Sequence, residues 1–175
     1  MMKSDLNIKD EEILLLGLCR LTFDAELKVM LSALAENITD WNYFSNLANR
    51  HGVGALAFHN LEKLGLLGNI PEEYEKILRN TLMMSISRNV RNIEMLTEVL
   101  NLLNHENIKT VLLKGSALEL MVYGNSGLRQ MTDVDVLLSY EDCIPARKIL
   151  MDNDFSSFPL KSVFHKPIIA HAGKH

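Results

Sequence analysis

The most constraining feature of this sequence is a short apolar run that ends in a tight turn and leads at once into a helical pattern. Val111 to Leu113 form the run, Lys114-Gly115-Ser116 form the turn, and apolar residues at helical spacing follow. This order predicts a strand, a turn and a helix. Because the first N–H groups of a helix lack intrahelical partners, such a turn favours bound phosphate, with Lys114 as a nearby cation and Ser116 as a cap or phosphate ligand.

A second strand pattern, Asp-Val-Asp-Val, begins at Asp133. Alternation in a strand places Asp133 and Asp135 on one face, about 7 Å apart, where they can share divalent cations. The same pattern also fits a half-exposed edge strand, and a Lys-Gly pair after a strand is often only a turn. Aspartate is a poor strand former, however, so two aspartates that open an apolar strand indicate a functional demand.

Together these motifs resemble the polymerase-beta-like nucleotidyltransferase superfamily, whose signature is a Gly-Ser turn that opens a helix, followed by a strand with Asp-x-Asp. The segment LLKGSALELMVYGNSGLRQMTDVDVLL is similar to a narrower group of uncharacterised bacterial nucleotidyltransferases. That group has a Leu-Lys-Gly turn, a tyrosine after the helix, an arginine and an acidic strand. The corresponding residues here are Leu113-Lys114-Gly115, Tyr123, Arg129 and Asp133-Val134-Asp135.

The resemblance implies an enzyme that moves a nucleoside monophosphate from a nucleoside triphosphate, such as ATP, to the hydroxyl of an acceptor. It implies that Asp133 and Asp135 hold Mg²⁺ or Mn²⁺ and that Lys114, Gly115 and Ser116 bind the triphosphate. Arg129 either neutralises phosphate charge or pairs with an aspartate, and both roles stay open. The acceptor, whether protein, RNA or small molecule, also stays open.

One departure from the superfamily concerns a third carboxylate, which these enzymes usually carry on a following strand. Residues 155–175 contain no Asp or Glu. Either the chain is a fragment of a longer protein, or it is naturally shortened and catalytically weakened. The alternative to an active transferase is therefore a weakened nucleotide-binding or antitoxin-like regulatory module. The basic residues 161–175 fit either a phosphate-facing arm or part of a hairpin.

The region before the motifs is predicted to be helical. Helical patterns cover residues 10–22, 25–36, 41–51 after an Asp40 cap, and 55–64, and a long amphipathic pattern runs from Pro71 to about His105. On that long helix, Met83, Met84 and Met95 fit core filling better than an adaptable binding surface. Arg79, Arg88 and Arg91 fit a solvated face or, alternatively, the approach to the nucleotide.

The predicted fold class is α+β. A helical N-terminal region, residues 1–105, packs on a small mixed β-sheet core, residues 106–175, which is expected to be incomplete at the C-terminus. The 47% hydrophobic and 23% charged residues are those of a soluble globular protein, and the net charge of -4 argues against broad affinity for nucleic acid or membranes. Two distant cysteines and no targeting or membrane segment predict a cytoplasmic location.

Overall fold

A computed structural model of the chain describes residues 8–124 and 127–156. Within them the protein is α+β, with a helical region and one small sheet. The helices are α1 (Asp10–Leu18), α2 (Ala25–Asn37), α3 (Trp41–Arg50), α4 (Gly54–Lys63), α5 (Glu72–His105), α6 (Lys114–Leu118) and α7 (Cys143–Asp152), and the strands are β1 (Val111–Leu113) and β2 (Asp135–Leu137).

The starts of the N-terminal helices follow the predicted signals closely. Asp40 caps α3 as predicted, since its carboxylate accepts a hydrogen bond from the Tyr43 N–H at 2.8 Å. Helix α1 is shorter than predicted and ends at Leu18. The amide of the buried Asn60 donates to the Leu18 carbonyl at 2.7 Å and to the Arg20 carbonyl at 2.8 Å. These two bonds satisfy acceptors that water or a further turn of helix would otherwise satisfy, so the helix stops there.

The chain forms two compact units. Among the described residues, the first extends to Arg91 and also includes residues 118–124 and 127–132, whereas the second comprises Asn92–Ala117 and residues 133–156. This division by compactness runs through α5. The sequence-based boundary follows residue 105 instead, and those sequence-based domains stay a prediction.

The first unit is built around an apolar core contributed by α1 to α4 and the start of α5. Trp41 and Phe44 meet edge to face, with ring centroids 5.2 Å apart and the ring planes at 68°. Trp41, Phe44 and Ala48 follow one another at steps of three and four residues, which is the helical periodicity that the sequence shows. The buried apolar residues of this core are Leu14, Leu15, Leu18, Leu31, Ala35, Ile38, Trp41, Phe44, Ala48, Ala57, Phe58, Leu61, Leu66, Ile70 and Leu78.

The second unit contains the sheet. Strands β1 and β2 pair antiparallel, with Val111 opposite Leu137, Leu112 opposite Val136 and Leu113 opposite Asp135. A small core supports this unit, formed by Leu103, Ile108 and Ala146 with Val99, Leu138 and Ile149 packed against it. The described sheet is purely antiparallel, so the parallel pairing that a mixed sheet requires is not present among residues 8–124 and 127–156.

Three side chains that were predicted to fill the core lie on the surface of α5. Met83 is 56% exposed, Met84 is 63% exposed and Met95 is 42% exposed, so the core-filling role is wrong for all three. The buried positions on this part of the helix belong to Ser85 and Asn89, which are 3% and 0% exposed. Polar residues therefore face inward where the apolar pattern predicted hydrophobic ones.

The described part of the chain ends shortly after α7. Phe155 lies outside any strand, and its N–H donates to the Leu150 carbonyl at 3.0 Å, which caps α7. The basic segment 161–175 lies outside the described residues. Among the helices that the structure describes, none has the length and apolar character needed to cross a bilayer.

Candidate functional site

The turn after β1 lies in the second unit and has a strained backbone. Lys114 has a φ of 48°, in the left-handed region that side chains other than glycine rarely adopt. Such strain is often found at functional sites, where surrounding structure holds it in place. The helix that follows is short, since α6 gives way after Leu118 to a single π-helical turn, Glu119–Tyr123. A five-residue α-helix has little macrodipole, so the predicted phosphate preference of this turn depends on Lys114 and local N–H groups.

The pairing of the two strands brings the turn and the acidic segment together. Asp135 lies opposite Leu113, the last residue before the turn. The Lys114 ammonium and the Asp135 carboxylate form an ion pair, with Nζ and Oδ2 3.1 Å apart. The Lys114 side chain is 73% exposed and that of Asp135 is 34% exposed. An ion pair this open contributes little stability, so its importance is that both charges meet at one accessible place.

Asp133 is placed differently from the prediction. Strand β2 begins at Asp135, so Asp133 precedes the ladder by two residues and is exposed. The prediction that both aspartates lie within the strand is therefore wrong. The physical reason is that β1 ends at Leu113, so the ladder has no partner residue beyond Asp135, and aspartate itself resists strand geometry. The metal-binding roles of Asp133 and Asp135 stay a prediction.

Ser116 supports the turn from inside. Its side chain is 1% exposed, and its hydroxyl donates to the Leu113 carbonyl at 3.0 Å. This bond ties the start of α6 to the end of β1 and fixes the direction in which the chain leaves the strand. The hydroxyl is not capping a helix N–H, which was one of its two predicted roles. Its contact with a phosphate, like that of Gly115, stays a prediction.

The donor set at the turn fits magnesium bound together with a nucleotide. Among the described residues, no group of three or more His, Cys, Asp or Glu side chains is arranged to hold a metal ion. Mg²⁺, however, is usually bound through one or two carboxylates together with substrate phosphates and water, and seldom by a cage of protein ligands. Asp135 with Asp133 supplies hard oxygen donors of that kind, and Lys114 supplies a cation for phosphate oxygens.

A buried polar network lies in the first unit and was not predicted from the sequence. The Asn89 amide donates to Glu119 Oε1 at 2.9 Å and to the Arg129 carbonyl at 2.7 Å, and its oxygen accepts from the Met131 N–H at 3.1 Å. Glu119 Oε1 also accepts from the Gly127 N–H at 2.7 Å. Two side chains therefore hold the backbone of the segment that carries Arg129.

Arg129, a predicted nucleotide ligand, belongs to this first unit. Its side chain is half-buried, and its Nε has no hydrogen-bond partner among the described residues. Oε2 of Glu119 is likewise buried without one, and Glu119 is only 2% exposed. A signal for this network was present in the sequence, since Glu119 stands between Leu118 and Leu120 in an apolar helix. A carboxylate in such a position needs buried donors.

The close approach of Gly127 to α5 leads to a stability prediction. Gly127 has a φ of 102°, and a Cβ built on it would contact Ile86 Cγ1 and would lie 2.9 Å from the Ile86 Cα and N. Gly127→Ala is expected to lower the free energy of unfolding by about 2–4 kcal/mol, because backbone strain and overpacking add. Urea denaturation followed by circular dichroism measures the loss.

Substitutions at two other glycines distinguish the effect of backbone strain from that of overpacking. Gly124 has a φ of 59° but open space around it, and Gly68 has neither constraint. Gly124→Ala is therefore expected to lose only the strain part, about 1–2 kcal/mol, and Gly68→Ala less than about 0.5 kcal/mol. Equal stabilities of the Gly127 and Gly68 variants would show that the Ile86 contact does not constrain the segment.

Comparison with known proteins gives one match. A family described as uncharacterised nucleotidyltransferase matches residues 37–171. That span is more than half of the chain and includes the Lys114 turn, Arg129 and both aspartates. No curated protein and no solved structure matches the chain.

Proposed function

Because the chain belongs to the uncharacterised nucleotidyltransferase family, we propose that it is a magnesium-dependent enzyme that transfers a nucleoside monophosphate from a nucleoside triphosphate to an acceptor hydroxyl. The family prediction is confirmed by the match over residues 37–171. The family match does not identify the metal, the nucleotide or the reaction, and these three are what we propose.

The main support for the proposed transfer reaction is the register in which β1 and β2 pair. It puts Asp135 opposite Leu113, next to the strained Lys114 turn, and the Lys114 and Asp135 charges lie 3.1 Å apart. Nucleotidyl transfer needs carboxylates for the metal and a cation for the phosphates at the same place. A strand and turn with a purely structural role would not require a lysine at the positive-φ position to lie beside an aspartate at the first paired position.

In the proposed reaction, an oxygen of the acceptor forms a bond to the α-phosphorus of the triphosphate. The bond between the α-phosphorus and its bridging oxygen breaks, pyrophosphate leaves, and the proton of the acceptor hydroxyl passes to water. The Lys114 ammonium donates hydrogen bonds to phosphate oxygens and offsets their charge. Ser116 keeps the turn in position through the Leu113 carbonyl, so that Lys114 and the Gly115 N–H face the triphosphate without rearrangement.

Asp133 and Asp135 are the residues proposed to hold Mg²⁺ or Mn²⁺. When bound, the metal neutralises charge on the attacking and leaving oxygens of the displacement. The two carboxylates are accessible, since Asp133 is exposed and Asp135 keeps 34% of its side-chain surface. Arg129 is proposed as a further phosphate ligand, because a guanidinium group pairs with phosphate oxygens through parallel hydrogen bonds.

The second candidate function is a nucleotide-binding or antitoxin-like regulatory module without transfer activity. The lack of Asp and Glu in residues 155–175 motivates it, because that segment supplies no third carboxylate to the proposed metal site. Both candidates predict nucleotide binding. Only the first predicts a new covalent bond to the α-phosphate.

The deciding experiment uses ATP labelled at either the α or the γ phosphate. The protein is incubated with Mg²⁺, each labelled ATP, and separate fractions of RNA, protein and small molecules. We expect α label to become covalently attached in one fraction and γ label to be released as pyrophosphate. Attachment of γ label would contradict nucleotidyl transfer. Saturable ATP binding with no attached label from any of the four nucleoside triphosphates would favour the regulatory module.

A further inference from the structure

The middle of α5 carries two arginines that the proposed transfer reaction does not use. Arg88 and Arg91 are both exposed, and neither forms an ion pair with any residue in the described part of the chain. Their spacing of three puts them on neighbouring turns of one helix face. Arg79, by contrast, pairs with Glu75 and lies over the Phe58 ring at 5.0 Å. Arg79 therefore has partners within the protein, whereas the charges of Arg88 and Arg91 are not neutralised by any acid in the described part of the chain.

Two adjoining cavities in the first unit share Arg88 and Met84. The larger has a volume of about 400 Å³ and is lined by Met83, Met84, Ser87, Arg88 and Arg91. The smaller has a volume of about 200 Å³ and is lined by Asn49, Thr81, Met84, Ser85, Arg88 and Gln130. No carboxylate is among the described residues that line either cavity. The larger volume lies within the range of small-molecule sites.

The polar groups of the smaller cavity are held in place or lack a partner. Ser85 is 3% exposed, and its hydroxyl has no hydrogen-bond partner among the described residues. Thr81 donates to Asn49 Oδ1 at 3.0 Å, which fixes the Asn49 amide and leaves its N–H groups as the donors not used in that bond. A buried hydroxyl without a partner is costly unless a ligand or water satisfies it.

The chemistry of the lining identifies the class of ligand. Guanidinium groups bind phosphate through paired hydrogen bonds and also stack on flat rings. Exposed methionines offer a polarizable surface that suits aromatic rings, and Met83 and Met84 are 56% and 63% exposed. We propose that the Arg88 cavities bind the phosphate and base of a nucleotide unit, at a site separate from the Lys114 turn. The proposal does not depend on transfer activity.

The test measures binding of AMP and of a short single-stranded RNA by calorimetry in buffer with EDTA, so that metal-dependent binding is absent. Arg88→Ala is expected to weaken binding at least about tenfold, the loss expected for one charge-assisted hydrogen bond. Arg91→Ala should also weaken it, and Arg88→Lys should keep part of the affinity because the charge remains. Arg88 is exposed on a helix, so alanine there is expected to preserve the fold.

Two control variants separate this site from others. Lys76→Ala removes one positive charge from the same helix, at a side chain that is 68% exposed and pairs with Glu72. Lys114→Ala removes the cation of the proposed transfer site. Lys76→Ala is expected to leave metal-free binding unchanged, and Lys114→Ala measures any share of that binding that belongs to the proposed transfer site.

Each outcome supports or overturns the proposal. Much tighter binding of RNA than of AMP would identify a nucleic-acid strand as the ligand source, and similar affinities would identify a free nucleotide. The proposal is overturned if neither ligand binds at millimolar concentration, if Arg88→Ala behaves like Lys76→Ala, or if binding is lost in Lys114→Ala and kept in Arg88→Ala.

Discussion

Replacing Asp133 and Asp135 together with asparagine is expected to remove the magnesium-dependent part of nucleoside triphosphate binding and to lower nucleotide transfer at least about 100-fold. Even the hydrogen-bonding partners of metal ligands cost 10–100-fold when they are removed, and the ligands themselves cost more. Asparagine keeps the shape of the side chain but lacks the charge that Mg²⁺ requires. Calorimetry with ATP in the presence of either Mg²⁺ or EDTA separates the metal-dependent part from the rest.

The fold is expected to survive this double substitution. The ion pair that Asp135 loses with Lys114 is largely open to solvent, with 73% of the lysine side chain exposed. Open pairs of this kind contribute less than about 1 kcal/mol. The thermal transition of the variant should therefore lie close to that of the unchanged protein, so a loss of binding reports on the site and not on unfolding.

A matched control is available in the same unit. Asp152 and Asp154 have the same spacing of two residues and are both exposed. Asp154 has a φ of 66°, which asparagine also tolerates. Asp152→Asn with Asp154→Asn removes the same charge and should leave binding unchanged. Equal losses in the two double variants would indicate a bulk charge effect, and unchanged binding in Asp133→Asn with Asp135→Asn would remove the basis of the proposed chemistry.

The parts of the fold that the sequence predicted are those set by local interactions. Asp40 caps α3 because a carboxylate directly before a helix reaches the N–H three residues on, whatever the rest of the chain does. The strand Val111–Leu113 and its turn were likewise predicted, since apolar content and a glycine mark them locally. The acidic strand was predicted to begin two residues too early, because its length depends on where β1 ends and not on its own residues.

The features that the sequence did not predict depend on tertiary partners. The apolar residues of α5 that recur at helical spacing include Val90, yet Val90 is 41% exposed and its neighbour Asn89 is fully buried. Asn89 is buried because the Glu119 carboxylate and the Arg129 carbonyl accept hydrogen bonds from it. The residue pattern of a helix contains no information about such partners, which lie thirty or more residues further along the chain. The cavities at Arg88 were missed for the same reason, since the unpaired state of a cation depends on which acids lie near it.

Asn89→Leu is expected to be the most destabilising single substitution proposed here, lowering the free energy of unfolding by about 3–5 kcal/mol. Leucine has the same number of side-chain heavy atoms and a larger volume, so the loss comes from unpaired groups and overpacking and not from a cavity. It would remove a donor to the buried Glu119 carboxylate, the donor to the Arg129 carbonyl and the acceptor for the Met131 N–H. Each group left buried without a partner costs about 1–3 kcal/mol, and a charged one costs more.

Asn101→Leu is the control, because Asn101 is exposed on the same helix and the substitution is the same. Its stability should change by less than about 0.5 kcal/mol. Urea denaturation gives both values, and hydrogen exchange at Gly127 and Met131 tests the local cause, since these two N–H groups donate to Glu119 and Asn89. If Asn89→Leu were as stable as Asn101→Leu, with unchanged exchange at Met131, the network would not be what holds the segment that carries Arg129. The backbone would then depend on apolar contacts such as the one between Gly127 and Ile86.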